Sequence, residues 1–182
     1  VSRMTRMKQM DAVKRHIRLS MELVMCMVCA MAFGLAAVAV NFAPLFYGDD
    51  FAYSGTLMMP LSFTLLSIGF ANVIRTQWVL PQGRDTIFVH SVLTGAVINL
   101  IANFVLIPPF GAMGAAVLAE FSVPAVQFVY LRKELPYAQY LKTTGVYCLF
   151  GLVMAGAVAL LGHVLPLHGW WKLALQVTGG AA

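Results

Sequence analysis

Residues 99–116 read NLIANFVLIPPFGAMGAA: an apolar run holding two asparagines, a Pro-Pro-Phe-Gly corner, and the start of a second apolar run. How such a stretch folds depends on its solvent. Hydrophobic residues make up 60% of the 182 and charged residues only 10%, with a mean hydropathy of +0.82. A water-soluble domain carries about 25% charged residues. A bilayer core of roughly 30 Å takes about 20 consecutive apolar residues per crossing helix. Five runs of that kind are present, at about 19–40, 56–78, 87–107, 112–131 and 143–165. A sixth starts at Trp170 and has too little chain left to cross. The runs are continuously apolar and lack the in–out alternation of barrel strands. The expectation is therefore an all-α fold, a polytopic transmembrane helix bundle.

Within that frame the opening stretch predicts a helical hairpin. Pro108 disfavours the helical region at Ile107, and Pro109 does the same at Pro108, so the third helix is expected to close there. Gly111 opens backbone angles denied to other residues. So short a connection forces the two helices antiparallel. No strand precedes these glycines, and their spacing is not that of a dinucleotide-binding phosphate loop.

On the way into the hairpin, Ser91, Gly95, Asn99 and Asn103 fall at four-residue steps and form one small, polar stripe. Amides are costly against hydrocarbon, so the stripe faces other helices or a cavity. It is either packing glue with interhelical hydrogen bonds or the lining of a substrate pathway. On the way out, Gly111, Ala115 and Ala119 form one row, and Ala112, Ala116, Glu120 and Pro124 the next. Glu120 lies near mid-span, where a charge is expensive and marks a functional site by default. Pro124 cannot bond the carbonyl of Glu120 and should kink the helix. That pairing of carboxylate and freed carbonyl is a candidate site for a proton or Na⁺; a structural Glu, protonated or internally paired, is the plainer alternative.

The second span carries Pro60, Ser62, Thr64, Ser67 and Gly69, then Asn72, Arg75 and Gln77. Asn72 and Arg75, three apart, share a helix face. Arg75 either snorkels to the headgroups or points into a wet cavity to meet an anionic group. The fifth span offers Gly151, Ala155 and Ala159 as a further packing face.

Charge sets the orientation. Of twelve Lys and Arg, six lie in the tail (Arg3, Arg6, Lys8, Lys14, Arg15, Arg18). Arg75 and Arg84 bracket the second connection, and Arg132, Lys133 and Lys142 fill the fourth. The first and third connections hold none, which places the N-terminus in the cytoplasm. Asp49, Asp50 and the Trp170-Trp171 pair then face outward. The net charge of +5 is topology and attraction to lipid, not a nucleic-acid footprint. Met4, Met7, Met10, Val13 and Ile17 recur at helical spacing between the basic residues. They read either as an amphipathic helix on anionic headgroups or as a solvated linker. Residues 1–18 are thus a cytoplasmic basic tail, 19–165 the bundle, and 166–182 an external loop with a truncated last span. The chain starts at Val1 and ends inside an apolar segment, so a piece of a longer protein is expected.

Cys26 and Cys29 form a C-x-x-C inside the first span. Zinc wants four ligands and polar surroundings, and only Cys148 remains. Packed thiols are expected, with no metal and no cofactor. A membrane-embedded assembly enzyme would want acidic pairs or Arg/His clusters in a sizeable external loop, and every loop here is short.

Several segments match a known pattern in their spacing: Phe46-Tyr47-Gly48; Gln77 with Leu80-Pro81; Gly95-Ala96, Asn99 and Asn103; Leu106-Ile107-Pro108, Gly111 and Gly114-Ala115-Ala116. Residues 1–135 resemble the polysaccharide-export branch of the MATE-like (MOP) flippase superfamily. The resemblance implies a non-enzymatic transporter of two six-helix lobes, with this chain most of the C-terminal one. It also implies alternating access, a lipid-linked sugar as substrate, membrane lipids and an N-terminal lobe of the same protein as partners, and the bacterial cytoplasmic membrane as location. Asn72, Arg75, Gln77, Asn99 and Asn103 become substrate-pathway candidates. Glu120 becomes the candidate for coupling to H⁺ or Na⁺, and Pro108, Pro109, Gly111 and Pro124 mark turns and hinges. A drug or metabolite exporter of the same fold, or a membrane-embedded polysaccharide-assembly enzyme, is the alternative.

Overall fold

The computed structural model describes the backbone of residues 2–110 and 112–164, and the side chains of 10–105, 117–118 and 120–160. Gly111, the Trp170-Trp171 loop and the sixth apolar segment lie outside these. The described chain is helical, with no strand. Its helices are α1 (Ser2–Tyr47), α2 (Ala52–Ser62), α3 (Thr64–Ile74), α4 (Asp85–Phe110), α5 (Ala112–Leu131) and α6 (Tyr137–Val164). Four stretches among the described residues are long and apolar enough to cross a membrane: Met10–Tyr47, Asp49–Gln82, Asp85–Val105 and Tyr137–Leu160. The fold is an all-α polytopic bundle.

Helix α1 is the spine and packs along α2, α3 and α6; α4 and α5 form a hairpin, and α3 lies against α5. The basic tail runs into the first span without a break. Ile17 is buried with Met21 and Met25 in a cluster that also holds Trp78, Leu131, Leu135 and Tyr140. Met10 and Val13 stay exposed. The tail's apolar series thus divides, and its inner end belongs to the core. At about 1.5 Å per residue, α1 is roughly 70 Å long, over twice a bilayer core.

The spine is closed by small residues. A Cβ on Gly55 would sit 2.7 Å from the Ala39 carbonyl oxygen and 2.9 Å from the Val40 Cα, so only glycine lets α2 lie this close to α1. A Cβ on Gly151 would run into the Phe33 ring, which itself meets Phe63 edge-on at 5.1 Å. The packing face of α6 differs slightly from the expected row: Val158 is buried and Ala159 exposed. Cys29 Sγ lies 3.8 Å from Cys148 Sγ across the same seam, while Cys26 is exposed; all three thiols are free. No metal-ligating cluster occurs among the described residues.

The second apolar run is not one smooth helix. It breaks at Phe63, where Pro60 has already removed a donor and the Ser62 and Thr64 hydroxyls bond back to the Met59 and Leu61 carbonyls, each at 2.7 Å. Further on, Arg75–Val79 is a π turn, in which the Leu80 N–H reaches the Arg75 carbonyl five residues back. Gly83, at φ 64°, supplies the left-handed corner that ends the segment.

One expectation is corrected. The helix before the Pro-Pro corner does not close at Ile107; α4 continues through Pro108 and Pro109 to Phe110. Proline's φ suits a helix, and what it removes is a backbone donor. The missing donors leave the Phe104 and Val105 carbonyls without their usual partners, but this falls so near the end of α4 that the helical φ of proline carries the chain on to Phe110.

Candidate functional site

Ser67, Asn72 and Arg75 on the α3 side and Glu120, Val123 and Gln127 on α5 line one cavity of about 110 Å³, with Phe88 of α4 closing it. Helical spacing assembles it: Ser67, Ala71 and Arg75 step by four, and Glu120, Val123 and Gln127 step by three and four. Pro124 has no N–H for the Glu120 carbonyl. The Ser67 hydroxyl donates to that oxygen instead, at 2.5 Å. A neighbouring helix thus satisfies the group that proline released, as lipid cannot.

Two polar atoms in this cavity have no partner. Arg75 Nε is buried without an acceptor, and Gln127 Oε1 is buried without a donor. Gln127 is 1% exposed. The Arg75 guanidinium carbon stands 4.8 Å from the centre of the Phe88 ring, a cation–π contact that supports the charge but fills no hydrogen bond. Among the described residues neither Arg75 nor Glu120 forms an ion pair. An orphaned buried donor or acceptor costs about 1–3 kcal/mol. An entering group with an acceptor for Arg75 and a donor for Gln127 recovers both costs; a phosphate beside a hydroxyl has that character. The volume is below the roughly 300 Å³ of a small ligand pocket, so it is a subsite, sized for one group and not a whole oligosaccharide.

The remaining candidates lie elsewhere. Gln77 is exposed on the π turn. Asn103 Nδ2 donates to Asn99 Oδ1 at 2.9 Å, so the two amides serve each other, away from the cavity. Their neighbour in the stripe, Ser91, is fully buried and bonds back to the Ile87 carbonyl at 2.7 Å. Pro124 also edges an apolar groove of about 390 Å³ with Phe70, Phe121 and Phe128. The side chains of Pro108 and Pro109 lie outside the described residues. Sequence reasoning missed Gln127, although it lies seven residues after Glu120 and thus on the same face. It also missed the π turn, which has no local sequence signal.

One turn from the cavity, the basic end is tied together. Arg84 Nη1 reaches Glu134 Oε2 at 2.6 Å, and Trp78 Nε1 donates to the same oxygen at 3.1 Å. The hydrogen bond from Arg84 holds the Glu134 carboxyl below the usual carboxylate range, with the Trp78 indole adding to it. This clamp joins the second connection to the fourth, so the basic segments share one end of the bundle.

Membrane-length apolar helices with a polar cavity between them, holding an arginine and a carboxyl group, define the class: a multi-pass helical membrane protein. No family profile matches the chain, and no solved structure does. The chain is similar to a protein of Shigella dysenteriae named "Putative O-antigen transporter", with 26% identity over 95 residues. That alignment takes in 52% of this chain and 24% of the relative, so the matched part spans about a quarter of the relative's length.

Proposed function

We propose that this chain is part of a membrane transporter that carries lipid-linked oligosaccharide, of the O-antigen repeat-unit type, across the bacterial cytoplasmic membrane by alternating access. The observation that carries the reading is Arg75, whose buried Nε has no acceptor, in a cavity among apolar helices; the similarity to the Shigella protein supports it. A sugar-diphosphate head group would bring anionic oxygens to Arg75 in a charge-assisted bond, while its lipid tail stays in the bilayer. Asn72 and Gln127 offer amides to sugar hydroxyls. An N-terminal lobe of the same protein would supply the opposite wall of the pathway. Glu120 is the group to carry a coupling proton or Na⁺. Gln77, Asn99 and Asn103 would meet substrate only in a differently arranged state.

The test uses the full-length protein in a strain lacking its own flippase, with surface glycan as readout. Arg75→Ala and Glu120→Gln are expected to lose export at wild-type protein level. Undiminished export by both variants removes these residues from the mechanism. Efflux of organic cations without glycan export would assign the protein to the multidrug branch of the same fold. Glycan elongation by the purified protein would make it an assembly enzyme.

A further inference from the structure

A second polar pocket lies at the basic end, away from the Arg75 cavity. It measures about 520 Å³ and is lined by Lys14, Arg15 and Arg18 of α1, by Lys133 and Glu134 of the α5–α6 connection, and by Tyr140 of α6. Its charge is unbalanced. Glu134 is taken by Arg84 at 2.6 Å, and Arg18 is shared with Glu22 at 3.0 Å. Lys14, Arg15 and Lys133 have no acidic partner among the described residues. An independent observation points the same way: Tyr140 is 1% exposed, and its buried hydroxyl has no hydrogen-bond partner. The pocket thus offers three spare cations and a neutral donor with nothing to accept from it. An anionic oxygen cluster completes that set, and a phosphate supplies one.

The surroundings select among phosphates. Arg15, Leu19 and Leu23 follow at four-residue steps on one face of α1. Leu19 is 52% exposed and Leu23 64%. The face therefore passes from cation to bare aliphatic surface within two turns, as an interface-spanning ligand requires. From this geometry we infer that the pocket is a binding site for the phosphate headgroup of an anionic membrane phospholipid, with an acyl chain lying along Leu19 and Leu23. Basic pockets between membrane helices on the cytoplasmic side suit such headgroups. The site is distinct from the transport cavity, and its occupancy is read by binding, without any transport assay.

The experiment titrates the full-length protein, purified in zwitterionic detergent, with phosphatidylglycerol, phosphatidylcholine, inorganic phosphate or glycerol phosphate. Thermal stability and native mass spectrometry report retention. Phosphatidylglycerol is expected to bind saturably and raise the melting temperature, and phosphatidylcholine is not. Combined Lys14→Ala, Arg15→Ala and Lys133→Ala should weaken binding about a hundredfold, from roughly tenfold or less per surface cation. Tyr140→Phe, which keeps the ring, should weaken it by about three- to tenfold. Neutralising Arg132 and Lys142, exposed basic residues that do not line the pocket, should leave affinity unchanged. Equal binding of phosphatidylcholine, full binding by both pocket variants, or loss of binding on neutralising those two outer residues would each overturn the assignment. Saturation by inorganic phosphate at the same affinity would overturn the lipid and leave a free-phosphate site. If the triple variant does not fold, Tyr140→Phe and Lys133→Gln, made singly, decide the same question.

Discussion

Where α1 meets α2 and α6, the bundle is dry and closed by glycine, and backbone lies almost on backbone at Gly55. Where α3 meets α4 and α5, the same bundle leaves a cavity with an arginine nitrogen and an amide oxygen unsatisfied. Both seams are helix contacts in one apolar chain. The first gains contact from the absence of side chains. The second gives up hydrogen bonds that an apolar replacement would not need. A protein selected for stability alone has no use for the second seam, so that is where function is to be sought.

The sharpest way to break the comparison is to fill the dry seam. Gly55→Leu puts a side chain into backbone that cannot yield, and no folded protein should be extractable from the membrane; a normal size-exclusion profile would mean the α1–α2 seam is looser than described. In the cavity, Arg75→Ala should lower export about ten- to a hundredfold, the value of a charged hydrogen bond, while the melting temperature holds or rises. A parallel fall in both would make Arg75 structural and erase the contrast.

Gln127→Leu is expected to raise stability by about 1 kcal/mol, because it removes an orphaned acceptor, and to cut export severalfold. Loss of stability would show that the amide is satisfied in the membrane. Asn103→Ala leaves Asn99 alone and should cost about 0.6 kcal/mol, with export nearly unchanged. A tenfold export defect there would move the asparagine pair into the pathway.

The smallest effect concerns Glu134, whose partner Arg84 is about a third exposed. Its folded pKa is depressed, so its contribution is complete above the unfolded carboxylate value of about 4.3 and is lost as pH falls through the lower folded value. Glu134→Gln should remove that acid dependence, at under about 1 kcal/mol near neutrality given the exposure. An unchanged acid melting profile would dismiss the clamp.

The fold was legible because composition and run length are global signals: an all-α polytopic bundle follows from apolar runs of spanning length, whatever their neighbours. The site was legible only in part. Asn72, Arg75 and Glu120 were singled out because polar groups in apolar runs are costly, and the cavity gathers all three. Gln127 carries the same signal and was overlooked beside the louder Glu120. Asn99 and Asn103 carry it too, yet they pair with each other along one helix through the Asn103 Nδ2 to Asn99 Oδ1 bond, which spacing permits but does not dictate. The helical continuation through Pro108 and Pro109 was hidden because a proline's cost depends on where the helix ends. The π turn was hidden because it is a property of how α3 is held at both ends.

That turn carries more than its length suggests. Arg75 opens it and lines the cavity; Trp78, three residues on, reaches the clamp at Glu134. Five residues therefore wire the interior to the basic end of the bundle. The arrangement depends on a surplus residue: wound as an ordinary α turn, the segment would swivel everything beyond it by about 100°. Arg75 and Trp78 could not then both keep their stations. The bundle stores a register shift at the junction of its two polar sites, so a movement that lets the turn relax must release one when it keeps the other.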